Sequence, residues 1–382
     1  MKTLSKNFII LIFCTITSIA QNRNPFYIGH SLVNFNMPAM VHGMALNAGK
    51  TTYYGSQIAN GSPLHINYNN YTTAQGTPYP NAFPSGNYNS LIITEAMPLQ
   101  PHLQWSNTNQ YANNFYTYAK NNNNGNPIKF YIYETWHCKN SGIPQPAPNS
   151  QYGCEWDNTA NSSTLWHPRL LADFSLWSSI TTHVRNQNPT DNQIWMVPVG
   201  QALYNLTTEI NLGNVAGISS YTQLFQDDIH LTNAGNYFVA CVMYATIYGE
   251  TPVGLTQNLN DMWGTAFTNM PTNAQKLILQ QVAWQTVTNL SSWTGVSGVL
   301  SSENFNKSNF LIYPNPVKDI LKIQNINNLQ ITKISVFDVF GKKILEENQN
   351  TTSINIQNIL SGLYFLEIES DGKTSLNKFI KQ

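Results

Sequence analysis

Between Gln21 and about Trp293, short apolar runs alternate with longer stretches whose apolar residues recur at helical spacing. This alternation constrains the fold most, because a strand followed by a helix and another strand returns most readily as a parallel crossover. Strands are expected at 25–28, 90–94, 128–133 and 193–197, and helices at 37–48, 107–121, 168–186, 233–248 and 272–290. In the last of these, Leu277, Leu279, Val282, Ala283 and Val287 mark one face, opened by Pro271 and Thr272. The expected fold is an α/β/α sandwich with a mainly parallel sheet. Long polar loops at 67–87 and 139–164 interrupt the pattern, and such insertions in α/β domains often sit where strands end and substrates bind.

The pattern changes after Gly298. Residues 299–308 read as a linker, after which lysines become common and short alternating strands follow at 321–324, 331–338, 353–356, 363–369 and 375–380, suiting a small C-terminal β-sandwich. A chain of 382 residues exceeds what one core organises, in keeping with two folded units. At the other end, Lys2 and Lys6 precede the apolar stretch 8–16 and small residues up to Ala20, the pattern of a secretory signal peptide spanning 1–20. The expected division is therefore a signal peptide at 1–20, an α/β domain at 21–298, a linker at 299–308 and a β domain at 309–382. No later segment has the ~20 apolar residues of a membrane-spanning helix.

The 19 basic and 19 acidic residues cancel, and only 10% of the chain is charged, which argues against nucleic acid or an anionic surface as a partner. Removal of the signal peptide takes Cys14. In an oxidising compartment Cys138 and Cys154, which flank a short loop, are placed for a disulfide stabilising by roughly 3 kcal/mol. Cys241, inside an apolar helical pattern, reads as a buried and inert thiol. His137, Cys138, Cys154 and Glu155 match no standard zinc spacing, so no metal site is expected.

The first expected strand runs into Gly29, His30, Ser31 and Leu32. Ser31 is either the N-cap of the next helix or a nucleophile presented on a turn. A serine hydroxyl needs a base to take its proton and a carboxylate to orient that base. Both can come from 225–235, where Asp227 precedes His230 by about one turn and Asn233, Ala234 and Gly235 open an apolar helix. Asp228 lies beside Asp227 but is offset from that spacing.

These two segments, in this order at opposite ends of an α/β pattern, resemble the SGNH or GDSL hydrolase superfamily, with the serine in a Gly-x-Ser-Leu motif and a closing Asp-x-x-His. The resemblance implies a flavodoxin-like three-layer sandwich, with Ser31, His230 and Asp227 as a triad. It also implies oxyanion donors: the Ser31 amide, a glycine amide for which Gly61 is the candidate, and an asparagine from Gly-x-Asn-Asp. That last motif is absent. After the strand at 90–94 stand Glu95 to Pro98, and after 128–133 stand Glu134 to His137, leaving Glu95 or the Thr135 hydroxyl as replacements. Trp136, Trp156 and Trp166 read either as a sugar platform or as core.

The tail resembles the type A C-terminal sorting domain of the type IX secretion system of Bacteroidota. The matching segments are 313–316 (Tyr-Pro-Asn-Pro), 336–342 (Val-Phe-Asp-Val-Phe-Gly-Lys), 360–364 (Leu-Ser-Gly-Leu-Tyr) and the lysine-bearing end. This implies export to the outside or the cell surface, with the secretion machinery as partner. The expected activity is that of a secreted serine esterase without a cofactor, its substrate an ester, and an acylated carbohydrate before all. The competing readings are a lipase or general carboxylesterase, and a non-catalytic glycan-binding surface protein.

Overall fold

The computed structural model describes residues 22–144, 157, 159–297, 310–325, 329–338, 342–348, 352–370 and 373–382. Its contacts divide the chain into two units, Met1–Ser297 and Gly298–Gln382.

In the first unit the strands are β1 (Pro25–Gly29), β2 (Gly55–Ile58), β3 (Gln75–Gly76), β4 (Ser90–Ile93), β5 (Lys129–Glu134) and β6 (Ile194–Pro198). The helices are α1 (Asn36–Asn47), α2 (Leu64–Asn69), α3 (Tyr79–Ala82), α4 (Leu99–Trp105), α5 (Thr108–Asn122), α6 (Trp166–Ala172) and α7 (Phe174–Gln187). They continue with α8 (Val199–Asn211), α9 (Asn233–Tyr248), α10 (Asn273–Asn289) and α11 (Ser291–Thr294). The sheet order is β3-β2-β1-β4-β5-β6, parallel except for the two-residue β3. Its five parallel strands thus follow the flavodoxin-like order 2-1-3-4-5, whose switch point lies between β1 and β4.

Alternation along each strand builds two cores. Tyr27, Ile92, Tyr131, Tyr133 and Val197 pack with residues of α1, α8, α9 and α10 on one face of the sheet. Phe26, Ile28, Leu91, Ile93, Phe130, Ile132 and Met196 pack with α5 and α7 on the other. Helix α9 is buried continuously from Tyr237 to Tyr248, as expected of a helix apolar on every side. Its thiol, Cys241, is free and buried, and burial pushes its pKa far up.

One expected element needs correction, and two elements were not expected. The expected helix at 168–186 is two helices, α6 and α7, that meet at Asp173, whose carboxylate accepts from Arg169 Nε (3.1 Å) and Asn161 (2.8 Å). Residues 199–211 form α8, for which the sequence pattern gives no expected helix. The polar strand β2 is held by pairing with β1 and shows no period-two signal of its own.

The second unit contains β7 (Phe310–Tyr313), β8 (Ile320–Asn325), β9 (Ile331–Phe337), β10 (Lys343–Asn348), β11 (Ser353–Asn355), β12 (Gly362–Ser370) and β13 (Lys373–Lys381). They form an antiparallel four-stranded sheet, β10-β9-β12-β13, and a three-stranded sheet, β11-β8-β7. Leu321, Ile323, Ile334, Val336, Ile354, Leu366, Ile368 and Phe379 fill its core.

Candidate active site

Every parallel strand ends at the same edge of the sheet, and Ser31, Gly61, Glu95 and Thr135 each lie just beyond such an end. Strand β1 ends at Gly29, where a Cβ would stand 2.7 Å from Val33 Cγ2 and 2.9 Å from Thr94 Cγ2, so only glycine fits the sharp exit. The chain then turns back, with the Val33 and Asn34 amides donating to the His30 carbonyl at 2.9 and 3.0 Å. Helix α1 begins only at Asn36 and makes no side-chain cap bond. Ser31 is therefore not a helix cap. It sits on the turn between β1 and α1, half-buried, and its hydroxyl and amide have no hydrogen-bond partner among the described residues.

His30 fixes this turn. Its Nδ1 accepts from the Leu32 amide (3.3 Å) and its Nε2 therefore carries the proton, donating to the Glu95 carbonyl across the switch point (2.9 Å). The ring is buried, and burial is the main reason its pKa is lowered. The bond to Glu95 opposes that, and the nearby His230 adds to it.

The base arm is built differently. Phe225 and Leu231 pair as an isolated antiparallel bridge, and the Gln226 amide donates to the His230 carbonyl at 2.9 Å. Thr232 caps α9 by accepting from the Gly235 amide (3.3 Å), a bond worth about 1 kcal/mol. Within this loop Asp227 accepts from the amides of Ile229 (2.9 Å) and His230 (2.7 Å) through Oδ1, and its Oδ2 lies 2.8 Å from His230 Nδ1. Partial burial raises the Asp227 pKa, but these bonds outweigh it and hold the carboxyl below its usual value. His230 thus presents Nε2 outward. Asp228 bonds Asn140 (3.2 Å) and stands 3.8 Å from Lys139 Nζ, away from the imidazole.

Ser31 and His230 line one polar cleft of about 60 Å³, with Asn34, Asn36, Trp136, Gln226, Asn233 and Asn236 around them. No hydrogen bond joins the two among the described residues; such pairs are often long without a substrate and tighten once it is bound. Trp136, buried at 1% exposure, donates from Nε1 to the Ile229 carbonyl (2.7 Å). Lys139 donates from Nζ to the Asp227 carbonyl (2.9 Å) and from its backbone N–H to the Asp228 carbonyl (2.8 Å). The segment leaving β5 therefore carries the base loop. Nothing in sequence spacing links 136–139 to 227–229, so this support escapes a reading by motif.

The oxyanion candidates divide. Gly61 lies in the turn after β2, at the same sheet edge, with φ +68° and an amide without a partner among the described residues. Glu95 and Thr135 are placed inside the scaffold. Both side chains are buried, and neither these two nor Gly61 is among the residues lining the Ser31 cleft. Glu95 Oε1 accepts from the amides of Leu64 (3.0 Å) and Ala96 (2.7 Å), and Oε2 meets the Thr108 hydroxyl (2.7 Å). Its pKa is pushed up to about 7 by burial, against those bonds. The Thr135 hydroxyl is buried without a partner among the described residues.

Of the tryptophans, Trp166 is core, stacked on Tyr221 at 4.5 Å, and Trp156 lies outside the described residues. Cys138 is disulfide-bonded and buried, while its expected partner Cys154 lies outside the described residues. Among the described residues no group of three or more His, Cys, Asp or Glu could hold a metal ion.

The molecule is thus a doubly wound α/β domain with a serine, a histidine and an aspartate at its carboxyl edge, followed by a β domain that can be placed in a family. Residues 311–382 match the secretion system C-terminal sorting domain. The tail is that sorting domain of the type IX system, and the protein is exported to the cell surface or beyond. Among the described residues no helix is long and apolar enough to cross a membrane.

The chain is 30% identical over 94 residues to ulvan lyase NLR42 of Nonlabens ulvanivorans, a match covering 24% of this chain and 17% of the lyase. Among solved structures, a DUF4886 family protein from Bacteroides uniformis is similar at 14% identity and a TM-score of 0.46, covering 70% of this chain and 95% of that one. The sulfur carrier protein SoxY from Chlorobium limicola is similar at 11% identity and a TM-score of 0.16, covering 20% of this chain and 80% of that one.

Proposed function

We propose that the exported α/β domain is a serine ester hydrolase of the SGNH type that removes acyl groups from carbohydrate. The observation that carries this reading is the shared cleft of Ser31 and His230, with the His230 Nδ1 held 2.8 Å from Asp227. In the proposed reaction Nε2 takes the Ser31 proton as Oγ attacks the ester carbonyl. The Ser31 and Gly61 amides, both unpaired among the described residues, stabilise the oxyanion. Protonated His230 then delivers its proton to the leaving alcohol, and water repeats the sequence to free the acid and Ser31. Asparagine and glutamine amides around the cleft suit a polyhydroxylated substrate.

The test is hydrolysis of an aryl acetate and of an acetylated polysaccharide by the parent and by Ser31→Ala. Turnover of both by the parent and a loss of about 10⁴-fold or more in the variant are expected. Preference for long acyl chains on simple alcohols would favour a lipase instead. No turnover, with polysaccharide retained equally by parent and variant, would make the domain a glycan-binding module.

A further inference from the structure

At the end of the sheet opposite Ser31, two cations stand without an anion among the described residues. Arg23 directly precedes β1 and is only 7% exposed, yet its Nε and Nη2 are buried and bond to nothing among the described residues. Lys129 opens β5, and its ammonium forms no hydrogen bond or ion pair among the described residues. Burial, and then the positive charge of Arg23, lowers its pKa. Both residues line one open depression of about 640 Å³, whose rim includes Asn87 and Gln193. Lys129 also faces a second depression containing Glu250, but that carboxylate is taken by Lys50 (2.8 Å) and Tyr244 (3.2 Å). Asp191, near the same edge, is taken by Lys120 (2.9 Å) and Tyr116.

A guanidinium so deeply buried is normally paired, since removing it from water without a counter-charge is costly. Among the described residues no carboxylate supplies the counter-charge, which leaves that place to an anion from solution. We propose that Arg23 and Lys129 form a binding site for an oxyanion group, a sulfate or a carboxylate, of the kind an acidic polysaccharide carries. A planar guanidinium beside a point-charge ammonium suits such a group, and the carboxamides at the rim suit the sugar bearing it. This site lies at the other edge of the sheet from the Ser31 cleft, so its failure leaves the esterase reading untouched, and the reverse holds.

The experiment follows the thermal unfolding of the α/β unit in the full chain, in sodium chloride, sodium sulfate and sodium glucuronate at matched ionic strength. Parent, Lys129→Gln and Arg23→Gln are compared, and a sulfated oligosaccharide provides a fourth arm. Sulfate or glucuronate is expected to raise the parent Tm by about 2–4 °C more than that of either variant. In chloride, Arg23→Gln is expected to unfold no lower than the parent, because it removes an unpaired charge. A rise with all three anions assigns the site to the oxyanion itself; a rise with the oligosaccharide alone assigns it to the glycan. Equal shifts in parent and Lys129→Gln reflect only exclusion of the salt from the surface and would overturn the proposal, as would the absence of any shift.

Discussion

The two arms of the candidate site are built on opposite principles. The base arm is local: Asp227, Ile229 and His230 satisfy one another within four residues, and α9 anchors the end of the loop. The nucleophile arm is assembled across the sheet. Ser31 depends on Gly29 against Thr94, on His30 against the Glu95 carbonyl, and on Glu95 joining the start of α2 to the start of α5. A locally satisfied loop can be perturbed by one atom with the fold intact. A cross-sheet arm reports its perturbation as stability.

The largest effect therefore belongs to the base arm. In Asp227→Asn the carboxamide oxygen can still accept from the Ile229 and His230 amides, so the loop keeps its shape. Its NH₂ group, however, faces His230 Nδ1 and favours the tautomer with the proton on Nε2, which cannot accept from Ser31. On the proposed mechanism kcat falls by about 10⁴-fold with little change in Tm. An unchanged rate would show that the pair is a surface contact and that the two arms do not work together.

Glu95→Gln probes the other arm. Folded Glu95 keeps its proton up to about pH 7, against 4.5 for the ordinary carboxyl. Its contribution to stability is therefore complete below the unfolded value and is lost as pH rises through the folded one, a change of roughly 3 kcal/mol. A glutamine reproduces the protonated form. Its oxygen accepts from Leu64 and Ala96, and its NH₂ donates to the Thr108 hydroxyl, which itself donates to the His102 carbonyl (2.7 Å). The variant is expected to match the parent at pH 5 and exceed it at pH 8 in urea midpoint. Some alkaline loss remains from Glu134, which burial pushes up to about 8. His30 and His102 act in the opposite sense, since burial lowers both and their contribution is lost as pH falls below the usual histidine value. Parallel pH curves for parent and variant would mean that Glu95 is ionised in the folded state.

The same contrast explains what could be read in the sequence. Four strands and the boundaries of α9 were legible because burial on both faces leaves continuous apolar runs and α9 is apolar all round. Asp227 and His230 were legible because their contact is three residues long. Strand β2 and helix α8 were hidden, the first because it is polar and held by its neighbour, the second because Pro198 and Gly200 look like breakers. Gly200 is there for packing: a Cβ would stand 2.7 Å from the Glu134 carboxyl, which accepts from the Gln201 amide (3.2 Å). Glu95 and Thr135 stand after strands, where the motif leads one to expect a donor, but their side chains are spent or buried inside the scaffold. A motif fixes the position of a residue along the chain but not the direction in which its side chain leaves the backbone.

Where the arms meet, the effect should be smallest. Trp136 leaves β5, borders the cleft, and donates to the carbonyl beside His230 at 2.7 Å. Trp136→Phe keeps a ring in the core and removes this donor. The Ile229 carbonyl, only partly buried, can turn to water, so the cost is that of one hydrogen bond, about 1 kcal/mol. The bonds from Lys139 to the Asp227 and Asp228 carbonyls remain and keep the loop in place. The imidazole then samples a wider range of positions about Ser31, and kcat is expected to fall about fivefold with KM nearly unchanged, because the bond lost is one within the protein. A drop confined to KM would instead make the indole a substrate contact. An unchanged kcat would mean that the Lys139 bonds suffice, and that the base arm is as self-contained as its sequence suggests.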